Sequence, residues 1–153
     1  MSPLLYDKQF IESVIPHRQP FLMIDGILSL IQGEVCVSRK GFDRDDPFFS
    51  GHFPGRPVLP GVLILENMAQ SACFLEMLGS RGRADAPAPF LAKIEACSFL
   101  AAVIPGDVME TQVKVARRMD PYVTMDAVAR VGGKIRAKAQ VIVGLIVLQG
   151  AGK

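Results

Sequence analysis

The sequence predicts an α+β fold in which a curved antiparallel sheet wraps around one long buried helix. Three observations carry that expectation. The run from Pro60 to Gly79 is apolar around nearly its whole circumference, the pattern of a helix enclosed by other structure. Strand-like segments lie on both sides of it, two before and four after. No repeat, low-complexity tract or linker divides the 153 residues, so a single domain over 1–153 is expected.

In chain order, Asp7 can cap a short helix over Lys8–Val14 that Pro16 ends. The apolar stretch Phe21–Ile31 reads as a strand. Gly33 turns the chain into a second strand, Glu34–Phe42. Asp43–Pro60 holds three aspartates, four prolines and two glycines, a composition that suits a structured loop and no regular element. Pro60 then sits where a helix tolerates proline, at its first turn, and Gly79 is a natural terminator. Ser80–Ala88 is a connection. Four strands follow, at Phe90–Phe99, Val108–Arg117, Val123–Val131 and Lys134–Val147. Pro105-Gly106-Asp107 marks a turn, and Gly132-Gly133 a tight hairpin.

Composition narrows the function. Half of the residues are apolar and the formal net charge is only +2. With no Trp and no massed Lys or Arg, a nucleic-acid partner is not expected. Lys114, Arg117, Arg118, Arg130, Lys134, Arg136 and Lys138 read as a solvated sheet face. The longest apolar runs fall short of the roughly 18 residues that span a membrane, and no secretory leader is evident. Cys36, Cys73 and Cys97 are widely spaced, odd in number and set among apolar residues, which suits buried free thiols in the cytoplasm. His17 and His52 are the only histidines and have no ligand-spaced neighbours, so no metal is expected.

Three features point to chemistry. Glu66 interrupts an otherwise apolar helix, where an unpaired carboxylate is costly, so it reads as an acid held neutral by desolvation and ready to donate a proton. Glu76, on another face near the helix end, reads as solvated. His52 sits in Gly51-His52-Phe53-Pro54-Gly55, fourteen residues before Glu66, and a histidine facing such an acid can abstract a proton while the acid donates one. The amides of Gly61 and Val62 open the helix at the positive end of its dipole, where a substrate carbonyl would be polarised. Base, acid and oxyanion donor together suit elimination next to a carbonyl.

Pro16-His17-Arg18-Gln19-Pro20-Phe21-Leu22, the run Pro47-Phe48-Phe49-Ser50-Gly51-His52-Phe53-Pro54-Gly55-Arg56-Pro57-Val58-Leu59-Pro60-Gly61-Val62, Leu63 to Gln70, and Pro105-Gly106-Asp107 closely resemble the 3-hydroxyacyl-[acyl-carrier-protein] dehydratases of bacterial type II fatty acid synthesis. The resemblance covers about residues 10 to 145. It implies a hot-dog fold and an obligate homodimer in which His52 of one subunit meets Glu66 of the other, with hexamers as trimers of dimers. It further implies an acyl tunnel lined by Phe21, Phe53, Pro60, Met68 and Gln70, with Gly61 holding the thioester carbonyl. His17 would be structural, helping to set the first strand. No cofactor is implied, since the substrate arrives on the phosphopantetheine of acyl carrier protein.

Two positions depart from the family pattern. Asn67 stands where a small residue usual follows the glutamate, and Leu100-Ala101-Ala102-Val103 replace a basic stretch after Phe99. The second change leaves a dehydratase of a polyketide or polyene pathway open beside fatty acid synthesis. A thioesterase of the same fold and a catalytically silent acyl-binding subunit are the further alternatives.

Overall fold

The computed structural model describes residues 1–147; the last six residues of the expected domain lie outside them. Asp7 caps α1 (Lys8–Val14), its carboxylate accepting the Phe10 N–H at 2.9 Å. Six strands follow in sequence: β1 (Gly26–Ile31), β2 (Val35–Gly41), β3 (Ala88–Phe99), β4 (Val108–Met119), β5 (Tyr122–Val131) and β6 (Lys134–Ile146), with α2 (Gly61–Gly79) between β2 and β3. The strands form one antiparallel sheet in the order β1-β2-β4-β5-β6-β3. Gly132 and Gly133, at φ 56° and 76°, make the primed turn that matches the twist of the β5–β6 hairpin.

The expected central helix is present, and it packs against β2 through β6. Pro60 is its N-cap and Gly79 its last residue. Its burial differs from the all-round enclosure expected. Ile64, Met68, Ala72 and Leu75 are buried in the core with Met109, Val113, Met125 and Val141 of the sheet, whereas Val62 is 68% exposed and Leu63 and Leu65 are half-buried. The sheet of one chain covers one side of α2 and leaves part of the other open.

Phe21–Asp25 is not strand, contrary to expectation. At Met23 its backbone is satisfied by side chains of α2: Gln70 Oε1 accepts the Met23 N–H at 2.7 Å, and Asn67 Nδ2 donates to the Met23 carbonyl at 2.7 Å. Buried backbone groups need a partner, and for Met23 the helix supplies both in place of a neighbouring strand. Asn67 thus has a structural task at the position where it departs from the family pattern. Ser71 extends the seam, with its hydroxyl 2.7 Å from that of Ser38 on β2.

Glu76 is not solvated either. It is largely buried and accepts both guanidinium ends of Arg118 at 2.9 and 3.1 Å, so Arg118 leaves the expected free basic face. Cys36 and Cys73 are the buried thiols expected, and desolvation pushes each up to about 12, whereas Cys97 on the sheet's edge strand is only half-buried. Met68 is wholly enclosed in the core. Met68→Ala should therefore lower unfolding free energy by about 2–5 kcal/mol, read from urea denaturation.

Candidate active site

The loop from Asp43 to Pro60 is irregular as expected, yet firmly anchored. Phe49 is buried edge-on to Phe42 at 6.4 Å, and the Leu59 N–H donates to the Val103 carbonyl at 2.8 Å. His52 is fixed within it. The Val58 N–H donates to the His52 carbonyl at 2.8 Å, and His52 Nδ1 lies 2.7 Å from the Val58 carbonyl oxygen. A carbonyl only accepts, so Nδ1 carries the hydrogen and the neutral ring keeps its lone pair on Nε2. The Phe53 ring stacks on the imidazole at 4.1 Å between centroids.

His52 opens into a concavity of about 390 Å³ shared with Gly61, Ile64, Phe99 and Leu100. The amides of Gly61 and Val62 begin α2, and Pro60 supplies no side-chain cap, so these donors remain available to a ligand carbonyl. A Cβ on residue 61 would stand 3.0 Å from the Phe99 ring, so glycine is what lets Phe99 lie over the helix start.

Glu66 lines a different cavity, of about 180 Å³, with His17, Gln70, Cys73 and Phe90. It is half-buried, so one chain gives it only part of the desolvated setting expected. The Gln70 amide orients it. Because Gln70 Oε1 is committed to the Met23 N–H, its nitrogen is left with two hydrogens to donate. One goes to the Phe21 carbonyl at 2.8 Å, the other to Glu66 Oε1 at 2.9 Å. Glu66 Oε1 is thereby the accepting oxygen, and a proton on the carboxyl belongs on Oε2.

Within one chain, then, His52 and Gly61 share one cavity and Glu66 and Gln70 another. The residues expected to line a tunnel are also separate. Met68 is core, and Phe53 is half exposed over a hollow formed by the 44–57 loop. Phe21 is half exposed at the rim of the α1–β1 connection, and Pro60 caps the helix. His17, given only a structural role on sequence, lines the cavity that holds Glu66, a placement its position in the Pro16-His17-Arg18 motif alone does not reveal.

Burial lowers the His17 imidazole below its ordinary range; Glu66 opposes that shift and Arg18 adds to it. Among the described residues no group of His, Cys, Asp and Glu is placed to hold a metal ion, and no helix is long and apolar enough to cross a membrane.

A six-stranded antiparallel sheet curved around a central helix, with a histidine loop leading into that helix, defines a hot-dog protein. A chain of the dehydratase heterocomplex ApeI:P from Xenorhabdus doucetiae shares this fold with a TM-score of 0.76 and 18% identity, over 88% of this chain and 90% of its own. A hypothetical thioesterase from Streptococcus pneumoniae, solved with coenzyme A, shares it with a TM-score of 0.62 and 10% identity, over 91% and 94%. Sequence similarity is more specific: the FabA-like domain model matches residues 15–140, and the 3-hydroxyacyl-[acyl-carrier-protein] dehydratase FabZ of Anaeromyxobacter sp. (strain K) is 38% identical over 140 residues, 91% of this chain and 89% of that protein. The chain belongs to the FabA-like family of 3-hydroxyacyl-[acyl-carrier-protein] dehydratases.

Replacing Gln70 with leucine removes the shared amide and leaves the Met23 N–H and the Phe21 carbonyl without partners. Gln70→Leu should cost about 1–3 kcal/mol for each group left buried and unpaired, measured by urea denaturation.

Proposed function

We propose that the protein dehydrates (3R)-hydroxyacyl thioesters carried on acyl carrier protein to trans-2-enoyl thioesters, in fatty acid synthesis or a related acyl-chain pathway. The observation that carries the mechanism is the His52 tautomer. With Nδ1–H held by the Val58 carbonyl, Nε2 is the base that removes the α-proton. Glu66 donates the proton on Oε2 to the β-hydroxyl, the C–O bond breaks, a C=C bond forms and water leaves. The thioester oxygen, negative as the α-proton departs, lies against the amides of Gly61 and Val62. One such donor contributes about 3–4 kcal/mol. The phosphopantetheine arm comes with the substrate and no cofactor is needed.

The two halves of this machinery face separate cavities in one chain, so we place each site between two copies, His52 of one opposite Glu66 of the other. The open edge of the sheet supports that arrangement. β3 is an edge strand and exposes Phe90, Leu91, Ile94 and Phe99, a row of apolar side chains beside unpaired backbone groups that suits pairing with a second β3. The exposed Val62 and the half-covered flank of α2 lie on the same part of the molecule as His52's cavity. The working unit is a homodimer in the cytoplasm, built from single-domain chains; three such dimers would make a hexamer.

His52→Ala and Glu66→Gln should each lower turnover about a hundredfold or more, followed as enoyl product by absorbance or mass. Free acid in place of enoyl product would identify a thioesterase instead. Mixing the two inactive variants tests the shared site: a mixed dimer regains one intact His52–Glu66 pair only if the pair spans two chains. Activity that stays absent after verified subunit exchange would place the pair within one chain.

A further inference from the structure

The Glu66 cavity has a polar part and an apolar part. Glu66, Gln70 and His17 line the first; the second is lined by Ala69, Cys73, Leu91 and Val143, none of which carries a charge. Glu66 is the first residue of α2 to line the cavity and Cys73 the last, seven residues on, so the cavity follows the helix axis for about 10 Å. Leu91 and Val143 stand directly opposite each other in the β3–β6 pairing and supply the sheet side of the cavity from one face. Cys73 is buried, and its thiol lies 3.7 Å from Met77 Sδ one turn further along, so the helix fills the space behind it. Burial pushes that thiol up to about 12, with Glu66 and Glu76 adding to the shift, so it stays protonated and behaves as a small apolar group.

The proposed reaction dictates how a substrate lies. With C1 against the Gly61 and Val62 amides and C2 at His52, the hydroxyl-bearing C3 meets Glu66 across the dimer, and C4 onward has the Glu66 cavity ahead of it. Gln70 occupies the polar part and is committed to Met23, Phe21 and Glu66, so the tail turns toward Ala69 and Cys73. An apolar cavity of about 150 Å³ holds a benzene molecule, so the cavity's volume of about 180 Å³ has room for roughly six or seven carbons. We infer that Cys73 ends the acyl site and sets the longest chain the protein accepts, which makes it selective for short and medium acyl chains. This rests on the dehydratase reading and deepens it. Cys73 does no chemistry in this role; the size of its side chain fixes how far a tail can run.

The two sides of the cavity differ in what closes them. Leu91 belongs to the sheet's edge strand and is 40% exposed, so its side is the one a second copy would complete. The Cys73 end is closed by the chain's own residues. Each CH₂ buried before that end is reached should raise kcat/KM about fourfold. The first CH₂ without room loses that gain and must displace packed side chains, which a close-packed interior resists. Activity against chain length therefore climbs to a maximum and then falls.

The test is the position of that maximum, read as kcat/KM on 3-hydroxyacyl thioesters of about four to sixteen carbons, with gains counted per CH₂. The parent should peak in the short to medium range and lose about tenfold or more on the longest chains. Cys73→Leu should move the peak to shorter chains and leave the shortest substrate nearly unaffected. Cys73→Ala, which only removes the sulfur and so tests the idea even if the leucine variant fails to fold, should raise the ratio of long-chain to short-chain activity. A packing role alone would lower all lengths by one factor. A parent with no fall on long chains, or an unmoved length profile in the folded variants, would overturn the inference. If the parent forms no enoyl product at any length, the dehydratase reading falls on that result alone. Calorimetry with saturated acyl thioesters on His52→Ala then still decides the matter: affinity should stop rising at a shorter chain once Cys73→Leu is added, and an unchanged stopping point would overturn it.

Discussion

The side-chain amide of Gln70 serves three masters at once, and the rest of the site is arranged around that fact. Its oxygen takes a backbone N–H from the segment before β1, and its two hydrogens go to a carbonyl of that segment and to Glu66. A primary amide has no further hydrogens to give, so its orientation is fully determined. The same side chain therefore fastens Phe21–Met23 to α2 and engages Oε1 of Glu66, leaving Oε2 outside that bond. Asn67 and Ser71 reinforce the seam by binding the Met23 carbonyl and Ser38. A polar stripe on the central helix is thus how an irregular segment can run beside it without leaving buried backbone unpaired.

The histidine loop solves a comparable problem by different means. It lacks regular hydrogen bonding, so proline and buried aromatic anchors limit its freedom, and local backbone bonds close the turn around His52. The Val58 carbonyl then acts on the imidazole as Gln70 acts on the carboxyl. His52 and Glu66 each have one heteroatom tied to the scaffold and the other outside that bond. In the mechanism proposed above, holding both groups from behind limits the reorganisation required as charge moves in the reaction.

Much of this architecture was legible in the residues. Asp7, Pro60, Gly79 and the Gly132-Gly133 pair mark element ends through local rules, and the structure places the ends there. Phe21–Asp25 was misread because its apolar composition resembles a strand, while its hydrogen-bond partners lie more than forty residues away on α2. The fate of Glu76 depended on Arg118, forty-two residues on, which spacing along a helix does not reveal. Among the residues of the proposed site, the motif singles out His52, Glu66 and Gly61. The role of Gln70 as an orienting amide and the shared cavity of His17 and Glu66 emerge only once the chain is folded, because both depend on contacts between the α1–β1 connection and the middle of α2.

The two margins of the sheet are finished differently. Along β1, the N-terminal residues form a strap, with Leu5 N–H donating to the Ile27 carbonyl and Ile27 N–H to that of Tyr6, and an irregularity between Ile27 and Ser29 breaks the regular ladder. Along β3 no such strap is laid among the described residues. A sheet with one blunted margin and one receptive margin can join a like sheet once, margin to margin, and afterwards offers nothing for a third to join. In the dimer proposed above, joining the two β3 strands would leave only the two blunted β1 margins outside, so that arrangement closes on itself.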